Sequence, residues 1–108
     1  MKYFRRMWIS ESLENERTRL YRQFRAGRPD KTVYLIAVSE SPGHMLDIYS
    51  GKTLRQRYFR KSGQLVVGAA GTKDEALELA GSIVARAYHE TGSADVRSYL
   101  LNSLGKGV

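Results

Sequence analysis

The segment from Gly68 to Lys73, Gly-Ala-Ala-Gly-Thr-Lys, has residue types that could bind a phosphate. It joins an apolar run to a predicted helix, and the free N–H groups and dipole at a helix N-terminus attract anions. However, its spacing matches neither G-x-x-x-x-G-K-[ST] nor G-x-G-x-x-G, and Asp74 and Glu75 would repel an anion. The favoured interpretation is therefore a tight, capped turn. The alternative is a phosphate-binding turn formed by Gly68, Gly71, Thr72 and Lys73.

A second candidate is the basic segment 52–61, Lys-Thr-Leu-Arg-Gln-Arg-Tyr-Phe-Arg-Lys. Basic side chains interleaved with aromatic ones can neutralise phosphates and stack on bases, as in proteins that bind single-stranded nucleic acids. The candidate anion-binding or nucleic-acid-binding residues here are Lys52, Arg55, Arg57, Tyr58, Arg60 and Lys61. The alternative is a solvated polar segment whose Tyr58 and Phe59 anchor it to the core.

A third candidate is a row of arginines, Arg19, Arg22 and Arg25, spaced three residues apart on a predicted helix. Such a row suits a nucleic acid, an acidic protein or a membrane surface. The apolar stripe of the same helix is narrow, so we expect it to be used in packing against a sheet. The sequence contains no helix-turn-helix, RNP aromatic motif or GXXG clamp that would identify a nucleic-acid-binding module.

The sequence offers little for catalysis. It has no cysteine, which excludes disulfides, thiolate catalysis and cysteine-ligated metals. Its two histidines, His44 and His89, are far apart, and the second fits the last turn of a helix, where a cation interacts well with the dipole. We therefore predict a protein that is not an enzyme, with no cofactor, no metal site and no catalytic residue.

The net charge of +7 is concentrated in two segments. Residues 1–31 carry nine Lys or Arg against four acids, and residues 51–61 carry five against none. Residues 32–50 have a charge of −2 and residues 62–108 a charge of −1. This distribution favours an anionic partner without indicating a fold.

Periodicity and turn signals predict a series of strands and helices. The predicted strands cover 3–9, 33–38, 45–49 and 65–70, and the predicted helices cover 13–26, 53–60, 73–91 and a final turn within 95–101. Ser10 or Ser12 should cap the first helix, while Thr72 and Glu75 form a capping box before the long one. The apolar face of the long helix should comprise Ala76, Leu77, Ala80, Ile83, Val84, Ala87 and Tyr88.

This order predicts a single α/β domain over residues 1–108, with a mixed sheet of about four strands (β-α-β-β-(α)-β-α) covered by helices on both sides. The first β-α-β unit should make its two strands parallel through a right-handed crossover. The sequence shows no apolar run long enough for a membrane span and no signal-peptide pattern, so a cytoplasmic location is expected.

Five short segments carry a resemblance to a known group of proteins. They are Asp47-Ile-Tyr, Arg57-Tyr-Phe, Val66-Val-Gly, Asp74-Glu-Ala-Leu-Glu-Leu and Thr91-Gly-Ser-Ala-Asp-Val-Arg-Ser-Tyr. With them, the region from Val33 to Leu100 resembles a group of small proteins of unknown function, similar in length, from Gram-positive (Firmicutes) bacteria. The resemblance implies a compact α/β domain and implies no activity, cofactor or catalytic residue.

The sequence therefore leads to three hypotheses about function. The first is a non-catalytic binding or regulatory module whose basic surface engages an anionic partner such as nucleic acid. The second is a protein–protein or self-association module, in which Tyr and Arg side chains anchor the interface. The third is a small enzyme that acts on a phosphorylated or nucleotide substrate held near Gly68–Lys73.

Overall fold

The structure, a computed structural model, describes residues 2–26, 32–39, 45–54, 65–92 and 99–100. The strands are β1 (Lys2–Ile9), β2 (Tyr34–Val38), β3 (Leu46–Ser50) and β4 (Leu65–Ala70). The helices are a 3-10 helix (Glu11–Glu16), α1 (Arg17–Arg25), α2 (Gly51–Leu54) and α3 (Lys73–Thr91). The predicted α/β fold with a mixed four-stranded sheet is confirmed. Most of the predicted helix over 53–60 lies outside the described residues.

The sheet has the order β1-β4-β2-β3. Strand β4 runs parallel to β1 and antiparallel to β2, and β2 is antiparallel to the edge strand β3. The prediction that the first β-α-β unit makes β1 and β2 parallel is therefore wrong, because these two strands run in opposite directions. The physical reason is that the two strands do not pair with each other: β4, of which every residue is buried, lies between them, where both its edges are paired and both its faces are covered.

The core is built around the two middle strands. All six residues of β4 are buried, as are the last four residues of β2. Because successive side chains of a strand point to opposite faces, burial of every residue means that both faces of the sheet are covered. The helices contribute buried side chains to this core, namely Leu20 and Phe24 of α1 and Ala76, Ile83 and Ala87 of α3.

The first helical segment begins differently from the prediction. Residues Glu11–Glu16 form a 3-10 helix, and α1 starts only at Arg17, four residues later than expected. Ser10 occupies the N-cap position, but its side chain makes no capping hydrogen bond. The hydroxyls of Ser10 and Ser12 instead bond to Glu75 on α3. A tertiary contact has replaced the local cap that the sequence predicted.

The two ends of α3 agree with the prediction. The Glu75 N–H donates to the Thr72 hydroxyl at 3.1 Å, and Gly92 ends the helix with a φ of 69°. The predicted apolar face is only partly confirmed, because Leu77 is 54% exposed and Tyr88 is 60% exposed. The buried side of α3 consists of Ala76, Ile83 and Ala87. Leu77 and Tyr88 lie about a quarter of a turn or more away from that buried side.

The close approach of β1 and β4 leads to a testable prediction at Gly68. A methyl group there would lie 3.0 Å from the Trp8 carbonyl oxygen, a backbone atom held in the sheet, so Gly68→Ala should lower the free energy of unfolding by about 1–3 kcal/mol. Gly81→Ala is the matched control, since its methyl group meets none of the described residues within 4 Å and should stabilise α3 by about 0.5–1 kcal/mol. Urea unfolding of both variants at low protein concentration tests this pair, and equal effects would contradict it.

Candidate functional site

A polar cluster with several hydrogen bonds lies where β1 and β4 end. Oε1 of Glu75 accepts hydrogen bonds from the Ser12 hydroxyl at 2.7 Å, from the Ser10 hydroxyl at 3.2 Å and from the Gly71 N–H at 3.1 Å. The Gly71 N–H also lies 3.3 Å from the Ser10 hydroxyl oxygen, which can accept from it. This cluster joins the end of β1 to the first turn of α3.

The parallel pairing of β1 with β4 brings these residues together. Ile9 lies opposite Ala69, and the Ser10 N–H donates to the Ala69 carbonyl oxygen at 2.9 Å. Because the two strands are parallel, β1 and β4 end at the same edge of the sheet, and Ser10 therefore lies beside the turn at Gly71. A side chain at position 71 would place its Cβ only 2.7 Å from the Ser12 hydroxyl oxygen. Glycine therefore allows this turn to pack against the 3-10 helix.

The hydrogen bonds have an electrostatic consequence for Glu75. They lower the pKa of its carboxyl below the ordinary value, chiefly through the bond from Ser12, with further contributions from the Gly71 backbone, Ser10 and the Thr72 backbone; desolvation opposes the shift. The ionised carboxylate thus occupies the N-terminus of α3, where the helix dipole favours a negative charge. A carboxyl with a lowered pKa is a poor general base near neutral pH.

This arrangement bears on the candidate phosphate-binding turn. Of its residues, Gly68 lies within β4 against Trp8, Gly71 already donates to Glu75, and Thr72 caps α3. Lys73 is exposed in the first turn of the helix. The structure thus has the tight, capped turn that was the favoured interpretation, and an incoming phosphate would have to displace the Glu75 carboxylate.

A cleft of about 290 Å³ lies beside the cluster. Its lining residues are Ile9, Ser10, Glu11, Glu75, Glu78, Leu79 and Ser82. The charged side chains in this lining are all carboxylates, so the cleft repels anions. It therefore gives no support to an enzyme that binds a phosphorylated substrate here.

The arginines at the start of α1 have partners close by in the chain. Arg17 pairs with Glu14 at 3.2 Å and Arg19 pairs with Glu16 at 2.9 Å. Arg17 also contacts the Met7 carbonyl oxygen at 3.3 Å and so fastens α1 to β1. The bond to Glu14 raises the pKa of Arg17, which keeps its charge in this contact.

The arginines at the end of α1 are different. Arg22 and Arg25 are exposed in the last turn of the helix, on the side away from the buried Leu20 and Phe24. Among the described residues, no carboxylate lies within 4.0 Å of either guanidinium group. Of the predicted arginine row, Arg22 and Arg25 therefore present positive charge that no described carboxylate compensates, whereas Arg19 pairs with Glu16.

The basic segment 52–61 is described only at its start. Lys52 is exposed in α2, and the preceding Gly51 donates to the Val33 carbonyl oxygen at 2.7 Å. Since Tyr34 pairs with both Ser50 and Ala70, Lys52 lies at the same end of the sheet as the N-terminus of α3. The remaining predicted residues, Arg55, Arg57, Tyr58, Arg60 and Lys61, lie outside the described residues. That the two basic segments form one surface stays a prediction.

Neither a metal-binding cluster nor a membrane-spanning helix is found in the described ranges. They contain no group of three His, Asp or Glu side chains placed to hold a metal ion, and His89 lies exposed near the end of α3. No helix in this part of the chain is both long enough and apolar enough to cross a bilayer.

Comparison of the chain with models of protein families, with curated proteins and with solved structures finds no match. The resemblance to small Firmicutes proteins therefore stays a prediction.

Sequence reasoning missed the bond between the serines and Glu75. The sequence indicated Ser10 or Ser12 as one cap and Thr72 with Glu75 as another, each within its own helix. The link between them depends on the register of β1 against β4, which lie far apart in the chain. No local signal could have indicated that register.

The lowered pKa of Glu75 makes a prediction about stability and pH. Because the folded pKa lies below the ordinary value of 4.5, Glu75 stabilises the fold above about pH 4.5, and this contribution is lost as pH falls through the folded pKa. Glu75→Gln should therefore be less stable than the original protein near neutral pH, and the difference should shrink in acid.

Unfolding curves recorded from neutral pH down to about pH 3 measure this difference. Glu78→Gln, an exposed position on the same helix, controls for the loss of one carboxylate. A destabilisation by Glu75→Gln that stayed constant across the whole range would show that ionisation of Glu75 does not matter.

Proposed function

We propose that this protein is a non-catalytic binding module that engages an anionic partner, nucleic acid in particular, through a basic surface. The surface comprises the end of α1 and the basic segment 52–61. The observation that supports it best is the state of Arg22 and Arg25, which are exposed and have no carboxylate partner among the described residues. Arginine presents a planar set of donors that suits phosphate oxygens.

The charge of the rest of the molecule agrees with this assignment. The cleft beside α3 is lined by carboxylates, and residues 62–108 have a net charge of −1. A phosphate-rich partner is therefore attracted to the proposed basic surface and repelled by the acidic cleft beside α3. The aromatic residues Tyr58 and Phe59 within the basic segment add groups that can stack on bases.

A membrane surface is a less suitable anionic partner. A helix that binds a bilayer inserts its apolar face among the lipids. In α1 that face is already used, because Leu20 is 0% exposed and Phe24 is 2% exposed in the core. The arginines can then meet a phosphate only from the polar side, which suits a nucleic-acid backbone better than a lipid layer.

Binding to a fluorescently labelled single-stranded oligonucleotide, and to a duplex of the same sequence, tests the proposal. Affinity should fall steeply as salt rises from about 50 to 200 mM, because bound phosphates release counterions. Arg22→Ala/Arg25→Ala should weaken binding at every salt concentration and reduce the slope of log K against log salt by about 1 to 2. Fluorescence anisotropy measures both quantities.

The matched control is Arg86→Ala on α3, compared with Arg22→Ala alone. It removes the same single charge from an exposed position outside the proposed surface and should leave the slope unchanged. An equal loss in both single variants would mean that only net charge matters, and the proposed surface would then be wrong. Absence of binding to either oligonucleotide at low salt would contradict the nucleic-acid proposal itself.

A further inference from the structure

One side of α3 carries an apolar stripe that is largely exposed and of which only Val84 packs against the core. Leu77 is 54% exposed, Tyr88 is 60% exposed and Val84 between them is half-buried. Together with Gly81 these residues follow one another at spacings of four, three and four. That spacing places them along one side of the helix, as in the seam of a coiled coil. We call this set the α3 stripe.

Gly81 is the unusual member of the α3 stripe. A glycine inside a helix costs about 0.5–1 kcal/mol relative to alanine, which is why helix interiors normally avoid it. Among the residues that the structure describes, nothing lies within 4 Å of the Cβ that another residue would place there. Packing within one chain therefore gives no reason for glycine at this position. Close approach of a second helix would explain the glycine, because the absence of a side chain lets two helix backbones come together.

We propose that the α3 stripe is a self-association surface, on which α3 of a second copy packs in the antiparallel direction. A two-fold axis between residues 82 and 83 would place Leu77 opposite Tyr88 of the second copy. It would also place Gly81 opposite Val84, so that the smallest member of the stripe faces a branched side chain. An isologous pairing of this kind uses the same patch on both copies and closes as a dimer.

Charge supports a second copy in this orientation. The exposed charged side chains in the first half of α3 are Lys73, Asp74 and Glu78, and those in the second half are Arg86 and Glu90, which pair with each other, next to the exposed His89. In the antiparallel pairing Glu78 of one copy lies near His89 of the other, and the two helix dipoles oppose each other favourably. The chain as a whole carries +7, which makes most faces of two copies repel, but residues 62–108 carry only −1. The side of α3 is thus where two copies can meet with little repulsion.

Within the described part of the chain, the α3 stripe is also left uncovered. Near the end of the described chain, Tyr99 bonds to Glu90 and lowers the pKa of that carboxyl, and it also interacts with Arg86. Glu90 and Arg86 lie on a different side of the helix from Leu77 and Tyr88.

One helix pair buries less area than a standard interface of about 1,200–2,000 Å², so the dimer should be weak and reversible.

Sedimentation velocity from micromolar to near-millimolar concentration tests the proposal. The average mass of the original protein should rise with concentration toward twice the chain mass. Gly81→Leu is the decisive variant, since its side chain has room in the monomer but would separate the two helices. It should weaken association about tenfold or more, as overpacking does, although it adds apolar surface.

Two further variants complete the series. Tyr88→Ser removes an anchor and should also weaken association, whereas Met45→Ser removes an exposed apolar side chain elsewhere and should not. Circular dichroism shows whether each variant keeps its fold. A strict monomer at the highest concentration, or a Gly81→Leu variant that associates as well as the original protein, would overturn the proposal.

The orientation can be tested because the chain contains no cysteine. A disulfide needs Cβ atoms about 3.5–4.5 Å apart. Positions 77 and 88 of one helix are about 16 Å apart along its axis. An equal mixture of Leu77→Cys and Tyr88→Cys chains should therefore form a mixed disulfide dimer on mild oxidation, while neither variant cross-links efficiently alone. Cross-linking of Leu77→Cys with itself would indicate parallel helices and contradict the proposed pairing.

Discussion

The structure depends on the complete burial of β4. All six of its residues are buried, so this strand needs neighbours on both edges and cover on both faces. Parallel pairing with β1 satisfies one edge and antiparallel pairing with β2 satisfies the other, which leaves β3 and β1 at the edges of the sheet. The same requirement explains Gly68, where β1 passes too close for a side chain. The mixed sheet follows from the need to surround one apolar strand.

The pairing of β1 with β4 also sets the electrostatics at that end of the sheet. It brings Ser10 and Ser12 to the turn before α3, where their hydroxyls hold the Glu75 carboxylate in its ionised form. The protein thereby supplies its own anion to the helix N-terminus that could otherwise bind a phosphate. Glu75 also lines the neighbouring cleft together with Glu11 and Glu78, so the cleft is acidic. The excess of positive charge therefore lies in other parts of the chain.

The molecule therefore separates into surfaces with different properties. The end of α1 carries Arg22 and Arg25 exposed, while the exposed side of α3 is apolar around Leu77 and Tyr88. A basic surface and an apolar one can take different partners without competing for the same residues. Binding of an anionic partner and pairing of two copies are thus independent proposals, and two copies paired through α3 would present two basic surfaces to one extended anion.

The sequence by itself determined the elements and the ends of α3, because these depend on local periodicity, on the Thr72 cap and on the φ of Gly92. It also determined that the excess of positive over negative charge comes from two segments. Only the tertiary structure decided that β4 separates β1 from β2, that Ser10 and Ser12 bond to Glu75, and that Leu77 and Tyr88 stay exposed. Each of these depends on which distant segments meet in the fold. Strand order, register and the side of a helix that faces the sheet are properties of the packed core, and no local pattern of residues contains them.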